Sequence, residues 1–156
     1  MKRALRQLSG RRQAMSPVLD SAALPDIMGE LKEVRARLPQ LTGVLLATVD
    51  GLVIAHDADG VEPEGVAALT AAALGVGARL AEATGQGALL ELLSRGERGY
   101  TATYAAGAFL VLTLFTGPDV NVGLLHFEAR RAGSRIAALA DAQLRRAPVP
   151  GSPLGV

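Results

Sequence analysis

The stretch Gly43-Val-Leu-Leu-Ala-Thr-Val-Asp-Gly-Leu-Val-Ile-Ala55 decides how the rest of the chain is read. Two apolar runs meet across Asp50-Gly51. Asp-Gly between such runs is a strong hairpin signal, because a type I′ turn needs φ > 0 at both central residues. Downstream, residues 88–94, 100–105 and 108–115 are each of strand length, with Arg95-Gly-Glu-Arg-Gly99 and Ala106-Gly107 as the turns between them. In the middle run Tyr100, Ala102 and Tyr104 alternate with Thr101 and Thr103, the pattern of a sheet with two unlike faces. The last run is apolar throughout, as a central strand covered on both sides would be.

Helical periodicity fills the spaces between. Leu24, Ile27, Met28, Leu31, Val34 and Leu38 recur at three- and four-residue steps. Pro25 suits the first turn of that helix, and Pro39 closes it. Asn121 is an N-cap residue for a last helix, with Val122, Leu125, Ala129, Ala132, Ile136 and Leu139 inward. Its wet side is expected to hold Glu128, Arg130, Arg131, Arg135 and Asp141. The element order is therefore α-β-β-α-β-β-β-α. That is an α/β sandwich, a five-stranded antiparallel sheet sandwiched by helices.

The second helix, from about Glu62 to Thr84, is unusual. Glu62-Pro63-Glu64 opens it with acid where the helix dipole favours it. One face gathers Val66, Leu69, Leu74, Val76 and Leu80. The opposite face holds Ala67, Ala68, Ala71, Ala72, Gly75, Ala78 and Ala83, relieved only by Arg79 and Glu82. Gly75 and Gly77 each cost about 1 kcal/mol relative to Ala inside a helix. A helix apolar almost all round is usually buried on both sides. In a chain this short the second side is expected to meet another chain, with small residues permitting close approach. The candidate interface is Glu64, Ala67, Ala71, Gly75, Ala78, Arg79 and Glu82, and Ala71→Arg is expected to break it by burying an unpaired charge.

Composition bounds the remaining possibilities. At 156 residues, 49% hydrophobic and 20% charged, the chain is one globular domain. With aromatics at 3%, its core is built from Leu, Val and Ala. The absence of Cys rules out disulfides, thiolate metal sites and a cysteine nucleophile, and fits a reducing cytosol. The N-terminus is basic but lacks the apolar core of a secretory signal. The longest apolar run, Ala105 to Phe115, falls short of the roughly 18 residues that span a bilayer. A cytoplasmic location is expected. Residues 1–20 read as a flexible basic arm, 21–146 as the folded domain, and 147–156, with Pro148, Pro150 and Pro153, as a disordered tail. Net charge is +4 over residues 1–40, −7 over 41–128 and +4 over 129–156.

No catalytic constellation is legible. His56 and His126 are the only histidines, without metal-ligand spacing, and are expected to be structural. Gly75-Val-Gly77 lies mid-helix, so it is no dinucleotide fingerprint. There is no Gly-Lys-Ser/Thr phosphate loop and no Gly-x-Ser-x-Gly elbow. No cofactor, metal or enzymatic activity is expected. Arg95 and Arg98 flank a turn beside Glu97 and read as a solvated turn rather than an arginine finger. The basic arm (Lys2, Arg3, Arg6, Arg11, Arg12) lacks an aromatic platform for specific nucleic-acid binding. At about 1 kcal/mol per basic residue it supports at most weak peripheral membrane association.

With these features in place, Leu41-Thr-Gly-Val-Leu-Leu-Ala-Thr-Val-Asp-Gly-Leu-Val-Ile-Ala55 resembles the first hairpin of the roadblock/dynein-light-chain family. Arg95-Gly-Glu-Arg-Gly-Tyr100 and Asn121-Val-Gly-Leu-Leu125 are similar to two further landmarks of its bacterial branch, and the likeness spans roughly residues 24–144. The resemblance implies a roadblock/profilin-like fold. It implies homo- or heterodimers whose sheets join edge to edge and whose second helices lie side by side. It also implies a non-catalytic regulator that binds a small Ras-like GTPase and modulates its nucleotide cycle. A purely structural scaffold of a sensor-kinase complex, without GTPase contact, is the alternative, and a small-ligand sensor a third. The longer basic arm departs from a minimal family member and leaves partner choice open.

Overall fold

The computed structural model describes residues 22–146; the expectations for the basic arm and the Pro-rich tail lie outside the described residues. The elements are α1 (Leu24–Arg37), β1 (Leu41–Thr48), β2 (Val53–Ala58), α2 (Pro63–Ala83), β3 (Glu91–Gly96), β4 (Gly99–Ala106), β5 (Leu110–Thr116) and α3 (Val122–Arg146). The expected order holds throughout. The strands form one antiparallel sheet ordered β2-β1-β5-β4-β3, so the mostly apolar β5 is central and β2 and β3 are the edges.

The period-2 alternation sorts the sheet into two faces. Val44 and Leu46 of β1, Ala102 and Tyr104 of β4, and Leu112 and Leu114 of β5 face α1 and α3. With Ile27, Leu31, Leu125, Ala129 and Ile136 they make the main core. Leu45 and Ala47 face the other way, toward α2. The molecule is thus three layers: α1 and α3, the sheet, and α2.

Three local readings are corrected by the structure. The first turn is not type I′: Gly51 has φ +91°, but no non-glycine residue has positive φ, so Asp50 does not. Thr48 N–H donates to Leu52 O at 2.8 Å and Gly51 N–H to Thr48 O at 3.0 Å, a three-residue loop closed by a left-handed glycine. The Thr48 hydroxyl also accepts from Leu52 N–H at 3.0 Å. Second, β3 starts at Glu91, and β3 and β4 run into the expected Arg95–Gly99 turn, leaving Glu97-Arg98 as its tip. Third, Glu128 is not on a wet face. It is 8% exposed and meets Arg37 at 3.5 Å, because α1 packs over that side of α3. The cap at Asn121 is as read, its side chain accepting from Leu124 N–H at 3.0 Å.

Candidate partner-binding face

The candidate site is built around α2. Glu62 caps it, accepting from Gly65 N–H at 2.7 Å, and Pro63 occupies the first turn, where its missing donor costs nothing. The helix crosses the sheet on its small residues. Ala67, 1% exposed, packs beside Leu45 and Ala47, and Ala81 is the other buried position. The approach is close. A Cβ added at Gly51 would sit 3.1 Å from Ala68 Cα, and one at Gly77 would sit 3.1 Å from Leu89 Cδ2.

The structure splits both faces of the helical wheel. Leu69, Val76 and Leu80 point outward, 71%, 69% and 64% exposed, while Val66 packs against Leu45, Ala47 and Ala67. Of the small-residue face only Ala67 is buried against the sheet, and Ala68, Ala72, Gly75, Ala78 and Ala83 are exposed. Ala67 is accordingly removed from the open surface. Glu64 and Arg79 are exposed. Ala71, Gly75, Ala78 and Glu82 come together on one flank of α2, where they line a cleft of about 860 Å³ against Val111 and Ala108. On the other flank Leu69 and Ala73 overhang a groove of about 430 Å³, floored by Leu92, Thr101, Thr103 and Phe115. The Leu69–Val76–Leu80 spacing was the signal in the sequence that these residues form one stripe. By length and composition α2 is also apolar enough to cross a membrane, which the longest uninterrupted apolar run did not foretell.

Beside this helix lies the free edge of the sheet. β3 pairs only with β4, so its other side carries unpaired backbone groups, and Leu90 and Leu93 near it are 78% and 39% exposed. Side chains hold this edge to α3. Arg130 donates from Nε to Glu91 at 3.0 Å and from Nη2 to the same oxygen at 2.8 Å. His126 Nδ1 lies 2.7 Å from the Tyr104 hydroxyl and 3.5 Å from Glu91. With the imidazole proton on Nε2, the phenol donates to Nδ1. Burial, reinforced by Glu91 and opposed by Arg130, pushes the Tyr104 hydroxyl up to about 12.

The remaining polar candidates do not assemble a reaction centre. His126 is spent on Tyr104 and Glu91, and His56 is exposed on the edge strand β2. Among the described residues, no group of three or more His, Asp or Glu could hold a metal ion. Arg95 lies over the Tyr100 ring at 5.6 Å, a contact within the β3–β4 hairpin, and Arg98 is exposed at the tip.

Known proteins share this architecture. The chain is similar to the uncharacterized protein MJ0310 of Methanocaldococcus jannaschii, 36% identical over 100 residues, covering 64% of this chain and 87% of that one. Among solved structures, an MglB with tetrameric arrangement superposes with a TM-score of 0.73 at 23% identity, over 79% of this chain and 93% of that one. The gliding protein MglB of Thermus thermophilus gives 0.70 at 23%, over 78% and 93%. At these identities the structural likeness establishes the fold. The model of the Roadblock/LC7 domain matches residues 28–116, more than half of the chain, and the chain belongs to that family.

Proposed function

We propose that this chain is a dimeric, non-catalytic regulator that binds a small Ras-like GTPase in the cytoplasm and modulates its nucleotide cycle. The observation that carries the dimer is the open apolar stripe Leu69, Val76 and Leu80 beside the unpaired edge of β3. A second copy adding its β3 antiparallel would satisfy that edge. Its α2 would then lie over the groove floored by Leu92, Thr101 and Phe115. This arrangement seats the large residues of α2 between the helices and leaves Ala71, Gly75, Ala78 and Glu82 on the far side. Membership of the Roadblock/LC7 family and the likeness to MglB structures support the GTPase as partner.

The test is capture of partners by the tagged protein from its own lysate, in parallel with GDP and a non-hydrolysable GTP analogue. A Ras-like GTPase enriched in one nucleotide state is the expected result. Identical partners in both arms, with no GTPase among them, would refute the regulator and favour a scaffold of a kinase complex.

A further inference from the structure

Exposed apolar side chains are not confined to the α2 layer. On α3, in the opposite layer, Leu124 is 43% exposed and Phe127 61%. They stand three residues apart, with Arg131 four residues further on, so the three share one ridge of the helix. That ridge points away from the core, which α3 meets through Leu125, Ala129, Ala132 and Ile136. The stability of the protomer gives no reason for a phenylalanine there, since a ring left in water forfeits the gain of burial.

A shallow groove of about 360 Å³ runs along this surface, lined by Gly123, Phe127, Arg130 and Arg131 among others. Glu91 of β3 ties it to the sheet edge, meeting Arg130 at 2.8 Å and His126 at 3.5 Å. Leu93 and Arg95 follow Glu91 at two-residue steps, so they rise from the same face of β3. Their register partners are Ala102, part of the core under α3, and Tyr100, whose ring Arg95 covers. Leu93 is 39% exposed. Apolar side chains and arginines thus share one surface. Glu91 is engaged by Arg130, and among the described residues no carboxylate pairs with Arg95 or Arg131. These cations stand out against a middle segment, residues 41–128, whose net charge is −7. Strand addition at the β3 edge lies in the plane of the sheet, so dimerisation there leaves this face open.

We propose that this α3–β3 surface docks an acidic segment of a partner protein, with an apolar side chain packed on Phe127 and Leu124 and carboxylates directed to Arg131 and Arg95. An aromatic anchor beside unpaired arginines is the composition of a protein-binding patch, in which a few residues carry most of the affinity. A nucleic acid draws its affinity from many phosphate contacts, and an anionic membrane from a cluster of basic residues. Two unpaired arginines beside a ring suit a short acidic peptide better than either. The proposal rests neither on the dimer nor on the GTPase.

The test pans a phage-displayed library of random peptides on the full chain. Recovered peptides are synthesised and titrated by fluorescence anisotropy against the parent, Phe127→Ser, Phe127→Leu and Arg131→Glu. Both positions are exposed, so the variants should unfold thermally as the parent does. The expected result is a set of peptides with net negative charge and an apolar anchor. Their Kd should rise about tenfold in Phe127→Ser and in Arg131→Glu, and stay within about threefold of the parent in Phe127→Leu. Replacing the responsible carboxylate by Lys should restore affinity for Arg131→Glu. Recovery of no peptide that responds to both substitutions overturns the proposal, as does a responsive set that is neutral or basic. Vesicles of anionic lipid and a single-stranded oligonucleotide serve as further probes. If either binds and is lost in Arg131→Glu while no acidic peptide responds, that ligand replaces the peptide and the proposal falls. A monomeric chain, or one that captures no GTPase, leaves these titrations unchanged, so the readings fail separately.

Discussion

Leu80→Ala, tested beside Ala71→Arg, separates the two flanks of α2. Truncating Leu to Ala removes three carbons, worth about 2.4 kcal/mol at about 0.8 kcal/mol per methylene when fully buried. Leu80 is 64% exposed in the protomer, so association can bury at most about 1.5 kcal/mol of that per copy. A twofold dimer holds two copies, which makes about 3 kcal/mol, or a dissociation constant raised about 150-fold. The protomer is barely affected, since the side chain is exposed there and Ala is at least as good a helix former. Ala71→Arg instead puts a long side chain at the edge of an open cleft, from which its charged end can reach water. It should change dimerisation by no more than about threefold, within the spread of surface substitutions. Sedimentation equilibrium over a dilution series reads both. An unchanged constant for Leu80→Ala, or a monomeric Ala71→Arg, would refute this assignment and place the small residues at the seam.

Two other perturbations probe the frame that holds the site. The Tyr104 hydroxyl has its folded value raised from 10 to about 12, so the stabilisation is present below pH 10 and fades as pH rises toward 12. Urea unfolding should lose on the order of 2 kcal/mol across that window in the parent chain and measurably less in Tyr104→Phe; parallel losses would contradict the burial of this phenol. Gly99 has φ +154°, and a Cβ there would run into the carbonyl oxygen of Thr116. Gly99→Ala should cost about 3 kcal/mol and lower Tm by roughly 10 °C; a shift of no more than about 2 °C would show that the β3–β4 turn relaxes freely.

Much of this protein is legible in one dimension. The alternation in Tyr100–Tyr104, the mostly apolar run of β5 and the capped stripe after Asn121 are local patterns with a single three-dimensional solution. Element order, the antiparallel sheet and the central place of β5 follow from them. Loop detail is less legible. Asp50-Gly51 fits both a two-residue turn and a three-residue loop, and the Thr48 contacts with Leu52 select the latter.

Which side of α2 is open belongs to the tertiary structure alone. Periodicity finds a buried side by contrast between apolar and polar residues, and α2 offers almost none. The sheet decides instead: its inner face carries Leu45, Val111 and Phe115, and the helix meets it through Ala67 with Val66 beside it. Leu69, Val76 and Leu80 are thereby turned outward, and Ala67, read as interface, becomes core. Glu128 tells the same story on α3, being covered by a helix nearly a hundred residues away in the chain. Sequence determines which surfaces are apolar; the space left between packed layers determines which of them remain for a partner.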